Sequence, residues 1–84
     1  QFKIKNARCE DGQWIADGIN MGSGSRKWGY TIYTLDADGD PLQSYSSSEY
    51  FSPKQRRKIL LGISCSVASV EIIISFLSAC NIEA

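Results

Sequence analysis

Apolar and polar residues alternate along most of this chain, which is the pattern of half-buried β-strands. The alternation is clearest at residues 27–35, where Trp28, Tyr30 and Ile32 fall on one face and Tyr33 falls on the other. Aromatic and β-branched residues are dense there, and they suit a pleated sheet better than a helix. Patterns of this kind predict strands at residues 2–9, 14–21, 27–35, 42–51, 57–65 and 70–77.

Short turn segments separate the predicted strands. Asp11-Gly12 is a turn pair, residues 22–26 are a Gly- and Ser-rich loop, and residues 36–41 interrupt the chain with Asp, Gly and Pro. Such short connections favour antiparallel neighbours. Residues 42–51 are rich in serine with few apolar anchors, which is typical of an edge strand whose polarity discourages pairing with another chain.

Residues 52–63 fit two different structures. Ser52 and Pro53 are suited to the N-cap and first position of a helix. The cations that follow would then face the positive end of the helix dipole, and Gly62 would end the helix early. We therefore favour a strand and keep a short helix at residues 53–62 as the alternative.

The expected fold class is all-β, a small antiparallel immunoglobulin-like β-sandwich that forms one domain over residues 1–84. The alternative is an α+β fold with the short helix. A chain of 84 residues has a marginal core, so a covalent link would stabilise it. The predicted core residues are Trp28, Ile32, Ile59, Leu61, Ile72, Ile74 and Phe76.

The spacing of Cys9, Cys65 and Cys80 matches no metal-binding motif. If successive strands alternate in direction, Cys9 and Cys65 lie at the same end of the sandwich, and we predict a disulfide between them. A hairpin turning at residues 66–69 would carry Cys80 to the other end, ~33 Å from Cys65, which is beyond disulfide reach. Cys80 is then free or bonded between molecules.

Composition narrows the classes of function. Nine basic residues balance nine acidic ones, so net charge does not attract the whole molecule to nucleic acid or an anionic membrane. The chain has no histidine, which excludes His-activated nucleophiles and most zinc sites. The apolar residues 70–80 are too few for a membrane span. We expect a protein that is not an enzyme and uses no cofactor or metal.

Two observations predict a periplasmic or secreted location. The start at Gln1 fits a mature chain whose secretory signal was removed. Three cysteines in a small domain fit an oxidising compartment better than the cytosol.

The candidate binding residues are charged or aromatic. The one basic cluster, at residues 54–58, suits an anion, a polyanion or an acidic peptide, and its alternative role is a solvated strand edge that opposes aggregation. Exposed aromatic rings are candidates for a partner surface. The candidates are Lys54, Arg56, Arg57, Lys58, Tyr33 and Tyr45.

Asp36, Asp38 and Asp40 resemble the opening of a calcium-binding loop. That loop requires glycine at its sixth position and glutamate at its twelfth. Pro41 and Ser47 stand there instead. We therefore predict a hairpin turn in which Asp and Gly supply the backbone conformations.

Three segments resemble small immunoglobulin-like bacterial domains: Trp28-Gly-Tyr-Thr-Ile-Tyr-Thr-Leu-Asp-Ala-Asp-Gly39, Tyr50-Phe-Ser-Pro-Lys54 and Val70-Glu-Ile-Ile-Ile-Ser-Phe76. In length and strand order the chain resembles the periplasmic curli-assembly chaperones, β-sandwiches that keep amyloid fibre subunits from polymerising early. Some members carry a Cys-x-Cys pair that this chain lacks, so the resemblance implies no redox role.

These observations predict a non-catalytic extracytoplasmic protein-binding module. Its partner, a fibre subunit if the resemblance holds, would dock by strand addition on an exposed edge or through the charged ends. The alternative is a small secreted toxin or effector that acts on a membrane or a host protein, in which residues 52–63 form a basic amphipathic helix. A structural subunit linked through Cys80 is a third possibility.

Overall fold

The computed structural model describes residues 2–75, and every regular element in that range is a β-strand. The range therefore contains no helix that is a candidate for crossing a membrane. The strands are β1 (Phe2–Glu10), β2 (Gln13–Asn20), β3 (Arg26–Leu35), β4 (Pro41–Phe51), β5 (Arg56–Ser64) and β6 (Ser69–Ser75).

The uncertain segment at residues 52–63 is mostly strand β5, so the helix alternative is wrong. Ile59, Leu61 and Ile63 are buried, and the residues between them are exposed. This period of two places all three on one face of a strand, whereas helical geometry would spread them around the axis. Gly62 adopts a φ of +71°, which a right-handed helix does not contain.

The six strands form two antiparallel three-stranded sheets that pack as a β-sandwich. The first sheet has the order β1-β2-β5 and the second has the order β4-β3-β6. Two connections, β1–β2 and β3–β4, are hairpins, and the other three pass between sheets. The expected hairpin at residues 66–69 is therefore wrong, because β5 and β6 lie in different sheets. The apolar faces of β3 and β5 lie in opposed sheets, and both turn toward the core.

The core lies between the sheets and includes most of the predicted residues. Trp28, Ile32, Ile59 and Leu61 are buried as expected, whereas residues 72 and 74 are only partly buried. The predicted core position 76 lies outside the described residues. Sequence patterning missed the aromatic packing at the start of β1 and end of β4. There Phe2 stacks on Trp28 with ring centroids 5.1 Å apart and meets Phe51 edge-on at 5.0 Å.

The predicted Cys9–Cys65 disulfide is present, with 5.9 Å between the Cα atoms. It joins the end of β1 to the residue after β5, and these two strands flank β2 in the first sheet. The Cys65 backbone N–H also donates to the Gly12 carbonyl at 3.1 Å. The alternation of strand direction predicted the pair correctly even though the chain changes sheets. The prediction for Cys80 concerns a residue outside the described range.

The side chain of Asn20 links the loops at the end of the sandwich opposite the disulfide. Its side chain is buried, and Nδ2 donates to the carbonyls of Gly24 (2.9 Å), Phe51 (3.3 Å) and Ser52 (2.9 Å). Its Oδ1 accepts from the Gly22 backbone N–H at 3.0 Å. One amide therefore ties the end of β2 to the end of β4 and to two loops.

Candidate functional site

Strand pairing arranges cations on the outward face of the first sheet. Side chains alternate between the core and solvent along β1 and β5. The two registers align outward residues of all three strands in rungs across the sheet. The rungs are Lys3–Ile19–Arg56 and Lys5–Asp17–Lys58.

A shallow groove of about 330 Å³ lies across this face, and we call it the basic groove. Lys5 and Asn6 form one wall, residues 56–58 form the other, and Asp17 and Ile19 form the floor. Because neighbouring strands are ~4.8 Å apart, the walls stand roughly 10 Å from each other. Arg56 and Lys58, the outward cations of the second wall, are two residues apart, which is ~6.6 Å along the strand.

The two carboxylates on this face are already neutralised by neighbours. Asp17 accepts from Asn6 Nδ2 and from Arg8 Nη1, each at 3.1 Å. Glu10 accepts from Lys58 Nζ and Arg8 Nε, each at 3.0 Å. The hydrogen bond from Lys58, then that from Arg8, lowers the pKa of Glu10. The bond from Asn6, followed by the bond from Arg8, lowers the pKa of Asp17. Both carboxylates therefore favour the ionised form.

The face as a whole is positive although the chain is neutral. Within residues 2–75, no ion pair or side-chain hydrogen bond engages Lys3, Lys5 or Arg56. Lys5 and Arg56 lie on opposite walls of the basic groove, where they are available to a ligand. The face carries the cations Lys3, Lys5, Arg8, Arg56 and Lys58 against the carboxylates Glu10 and Asp17.

The predicted basic cluster separates when it folds. Arg56 and Lys58 reach the outward face, but Arg57 turns to the edge between the sheets. Its Nη2 donates to Glu49 Oε1 at 3.0 Å and to the Tyr50 carbonyl at 2.8 Å. Its guanidinium also lies over a buried Phe51 ring, 4.1 Å from the centroid. Arg57 thus contributes to packing as well as to the groove wall.

Lys54 lies apart from the groove, in the turn between β4 and β5. It adopts a φ of +58°, and its Nζ donates to the Met21 carbonyl at 2.9 Å. Sequence reasoning missed Lys3 and Lys5, the cations that complete the face. Their alternation with apolar residues was visible, but only the β1–β2–β5 register brings them opposite Arg56.

The two candidate tyrosines do not form one surface, because they lie on opposite faces of the second sheet. Tyr33 pairs with Ser44 and Glu71 on the outward face. Tyr45 lies opposite the buried Ile32, on the inward face, but its side chain is 45% exposed. Its hydroxyl donates to Gln43 Oε1.

The segment at residues 36–40 is the predicted turn. Asp36 Oδ1 accepts from the backbone N–H groups of Asp38 and Asp40, each at 2.9 Å. Gly39 has a φ of +86°, a conformation that glycine adopts readily. One of the three carboxylates thus holds the hairpin closed.

Comparison with known proteins identifies the fold alone. No family model and no curated protein matches the sequence of the chain. The chain is similar to a crystal structure, at 1.81 Å resolution, of a DUF1425 family member from Shewanella sp. pv-4. The TM-score is 0.60 at 16% sequence identity, over 88% of this chain and 74% of that one. The chain therefore has the fold of a small bacterial β-domain.

Proposed function

We propose that the chain is a non-catalytic extracytoplasmic module that binds an acidic, extended segment of a protein partner in the basic groove. The observation that carries this proposal is the pair of cation rows on either side of the groove floor, which includes Lys5 and Arg56, two cations that have no ion pair within residues 2–75. The Cys9–Cys65 disulfide supports the compartment, since structural disulfides persist where conditions are oxidising.

The spacing of the cations favours an extended peptide. Alternate side chains of such a peptide repeat every ~6.6–6.8 Å, which is the step from Arg56 to Lys58 along β5 and from Lys3 to Lys5 along β1. The described part of the outward face carries no aromatic ring on its two basic rungs, so it offers no stacking platform for nucleic-acid bases. An acidic peptide therefore suits this surface better than single-stranded nucleic acid does.

The expected affinity is low. Exposed ion pairs contribute roughly 0.2–1 kcal/mol each. One ion pair from each of the four cations on the two rungs would therefore supply at most about 4 kcal/mol before the cost of association. Salt at about 0.15 M screens charges beyond ~8 Å. We expect binding that is weak, fast and strongly salt-dependent, as suits a transient partner.

A direct test uses a fluorescent peptide of alternating Asp and Ser, with an Asn-for-Asp peptide and an oligothymidine of matching length beside it. Fluorescence polarisation should show that the acidic peptide binds and that salt weakens the binding. The Lys5→Glu/Arg56→Glu variant should bind at least tenfold less tightly. Lys27→Glu is the matched control, since Lys27 is an exposed lysine on the second sheet.

Two results would overturn the proposal. One is equal binding of the acidic peptide by the wild type and the groove variant, with circular dichroism showing that both are folded. The other is tighter binding of the oligothymidine than of the peptide, which would indicate a nucleic-acid surface.

The resemblance to curli-assembly chaperones makes a fibre subunit our specific candidate for the partner. In that role the groove would hold an acidic segment of the subunit and delay nucleation. A polymerisation assay at substoichiometric ratio should show a longer lag with the wild type than with Lys5→Glu/Arg56→Glu. An unchanged lag with the wild type would remove the chaperone role. The toxin hypothesis depended on a helix at residues 52–63, where the structure has a strand, and we do not propose it.

A further inference from the structure

The two sheets have four edge strands, and three of them carry features that oppose pairing with another chain. In β1 the register shifts between Lys5 and Arg8, with Asn6 at a φ of +57°. In β5 the glycine at position 62 has a positive φ, and three consecutive cations begin the strand. Strand β6 carries an exposed Glu71. Bulges and charges are usual protections of an edge.

Strand β4 has none of these features over most of its length. It has 11 residues, and residues 41–48 are exposed and uncharged. Its register with β3 runs unbroken from Arg26–Phe51 to Thr34–Gln43. No described strand lies on its other side. Its backbone N–H and C=O groups on that side are therefore available for pairing over residues 42–48, whereas the Tyr50 carbonyl already accepts from Arg57 Nη2 at 2.8 Å.

The sequence of β4 is complementary to itself in one antiparallel register. With a two-fold axis at Ser46, Leu42 of one copy lies opposite Tyr50 of the other. Leu42 is 58% exposed and lies where the β3–β4 register shifts, and Tyr50 is 55% exposed on the outward face of the sheet. In the same register Glu49 lies opposite Gln43, so the two carboxylates stay apart. Moving the axis to Tyr45 would instead place Tyr50 opposite Asp40.

We propose that β4 is a homodimerisation edge, at which two copies pair antiparallel about Ser46 and form a continuous six-stranded sheet. A two-fold pairing of this kind is closed and does not propagate into a fibre. Cross-strand Leu–Tyr and Ser–Ser pairs stabilise it, and no like charges oppose each other. The basic grooves lie on the other sheets of the two copies and stay accessible, which makes the dimer bivalent.

Sedimentation equilibrium of the full chain tests the proposal. Every sample carries Cys80→Ser, so that a bridge between copies through Cys80 is not counted. We expect a dimer for this parent and at least tenfold weaker association for Ser46→Lys, which places two lysines face to face at the axis. Ser66→Lys adds the same charge at an exposed turn serine and should still dimerise. A parent that stays monomeric, or a Ser46→Lys variant that dimerises equally, would overturn the proposal.

Cysteine cross-linking tests the register separately. Directly opposed residues have Cα atoms ~4.5–5.5 Å apart, which is within disulfide reach. Ser46→Cys should therefore form a covalent dimer under oxidising conditions. Ser44→Cys should not, because the two copies of that residue are offset by four positions, or ~13 Å. Cross-linking of Ser44→Cys alone would refute the axis at Ser46. Unchanged thermal unfolding of each variant shows that the fold is retained.

Discussion

The two sheets of this sandwich differ in charge, in regularity and in covalent linkage. The first sheet has register shifts in both of its strand pairs, an outward face with five cations, and a disulfide between its two edge strands. The second sheet has a long, nearly uncharged edge strand whose register is regular over residues 43–51. Polar composition alone therefore does not protect an edge, since residues 43–48 of β4 are polar yet carry no charge and no bulge.

Of the changes considered, removing the disulfide should lower the stability of the chain most. The first sheet should be destabilised more than the second. The bond joins residues 56 positions apart. In the chain-entropy account, a loop of that length stabilises the fold by about 4 kcal/mol. We expect urea unfolding of Cys9→Ser/Cys65→Ser to show a loss of that order. Native-state hydrogen exchange should show earlier opening of β1 and β5 than of β3. Equal loss of protection in both sheets would mean that the sandwich unfolds as one unit.

The amide of Asn20 joins the sheets, so its removal should weaken the contact between them. Asn20→Ala leaves three buried or half-buried carbonyls without their donor. We expect the free energy of unfolding to fall by about 3 kcal/mol, since an unsatisfied buried group costs roughly 1–3 kcal/mol. Ser52→Ala removes an exposed hydroxyl from the same loop and should change stability by less than about 0.5 kcal/mol. Similar values for the two variants would contradict this assignment.

Acid should weaken the first sheet selectively, although the effect is small because the groups are exposed. The pKa values of Glu10 and Asp17 are lowered in the folded chain by hydrogen bonds led by those from Lys58 and Asn6. A carboxyl with a lowered pKa stabilises the fold above its unfolded pKa, and this contribution is lost as the pH falls through the folded pKa. The Tm should therefore fall between about pH 5 and pH 3.

A variant pair isolates this acid dependence. Glu10→Gln/Asp17→Asn should show a shallower fall in Tm than the wild type over the same pH range. Glu71→Gln removes a carboxylate from the second sheet that has no ion pair among residues 2–75. The Tm of Glu71→Gln should fall with decreasing pH as steeply as that of the wild type. If the Tm of all three proteins fell equally with decreasing pH, the ion-pair network around Arg8 would make no measurable contribution to stability.

The sequence predicted the strands and the disulfide well, because both depend on local patterns. Alternation of side chains showed which residues of β3 are buried, and reversal of direction at each connection placed Cys9 beside Cys65. A period of two does not show which sheet a strand joins. The positions of β5 and β6 in opposed sheets therefore could not be predicted from it.

The candidate site was only partly predictable for the same reason. Arg56 and Lys58 were found because they stand in a visible run of cations. Lys3 and Lys5 are about 50 positions away, and only strand pairing unites them with that run. The role of Arg57 against Glu49 was also hidden, since neighbours in a strand point to opposite faces.

The position of the disulfide also fixes when it can form during synthesis. Cys9 belongs to the first strand, and its partner follows the fifth. In a chain that crosses a membrane from its amino end, the first thiol emerges early and must stay reduced and unpaired until nearly the whole domain has followed. The disulfide can therefore form only after β5 has crossed the membrane. A stalled or truncated chain would leave the Cys9 thiol exposed to oxidoreductases and to other chains.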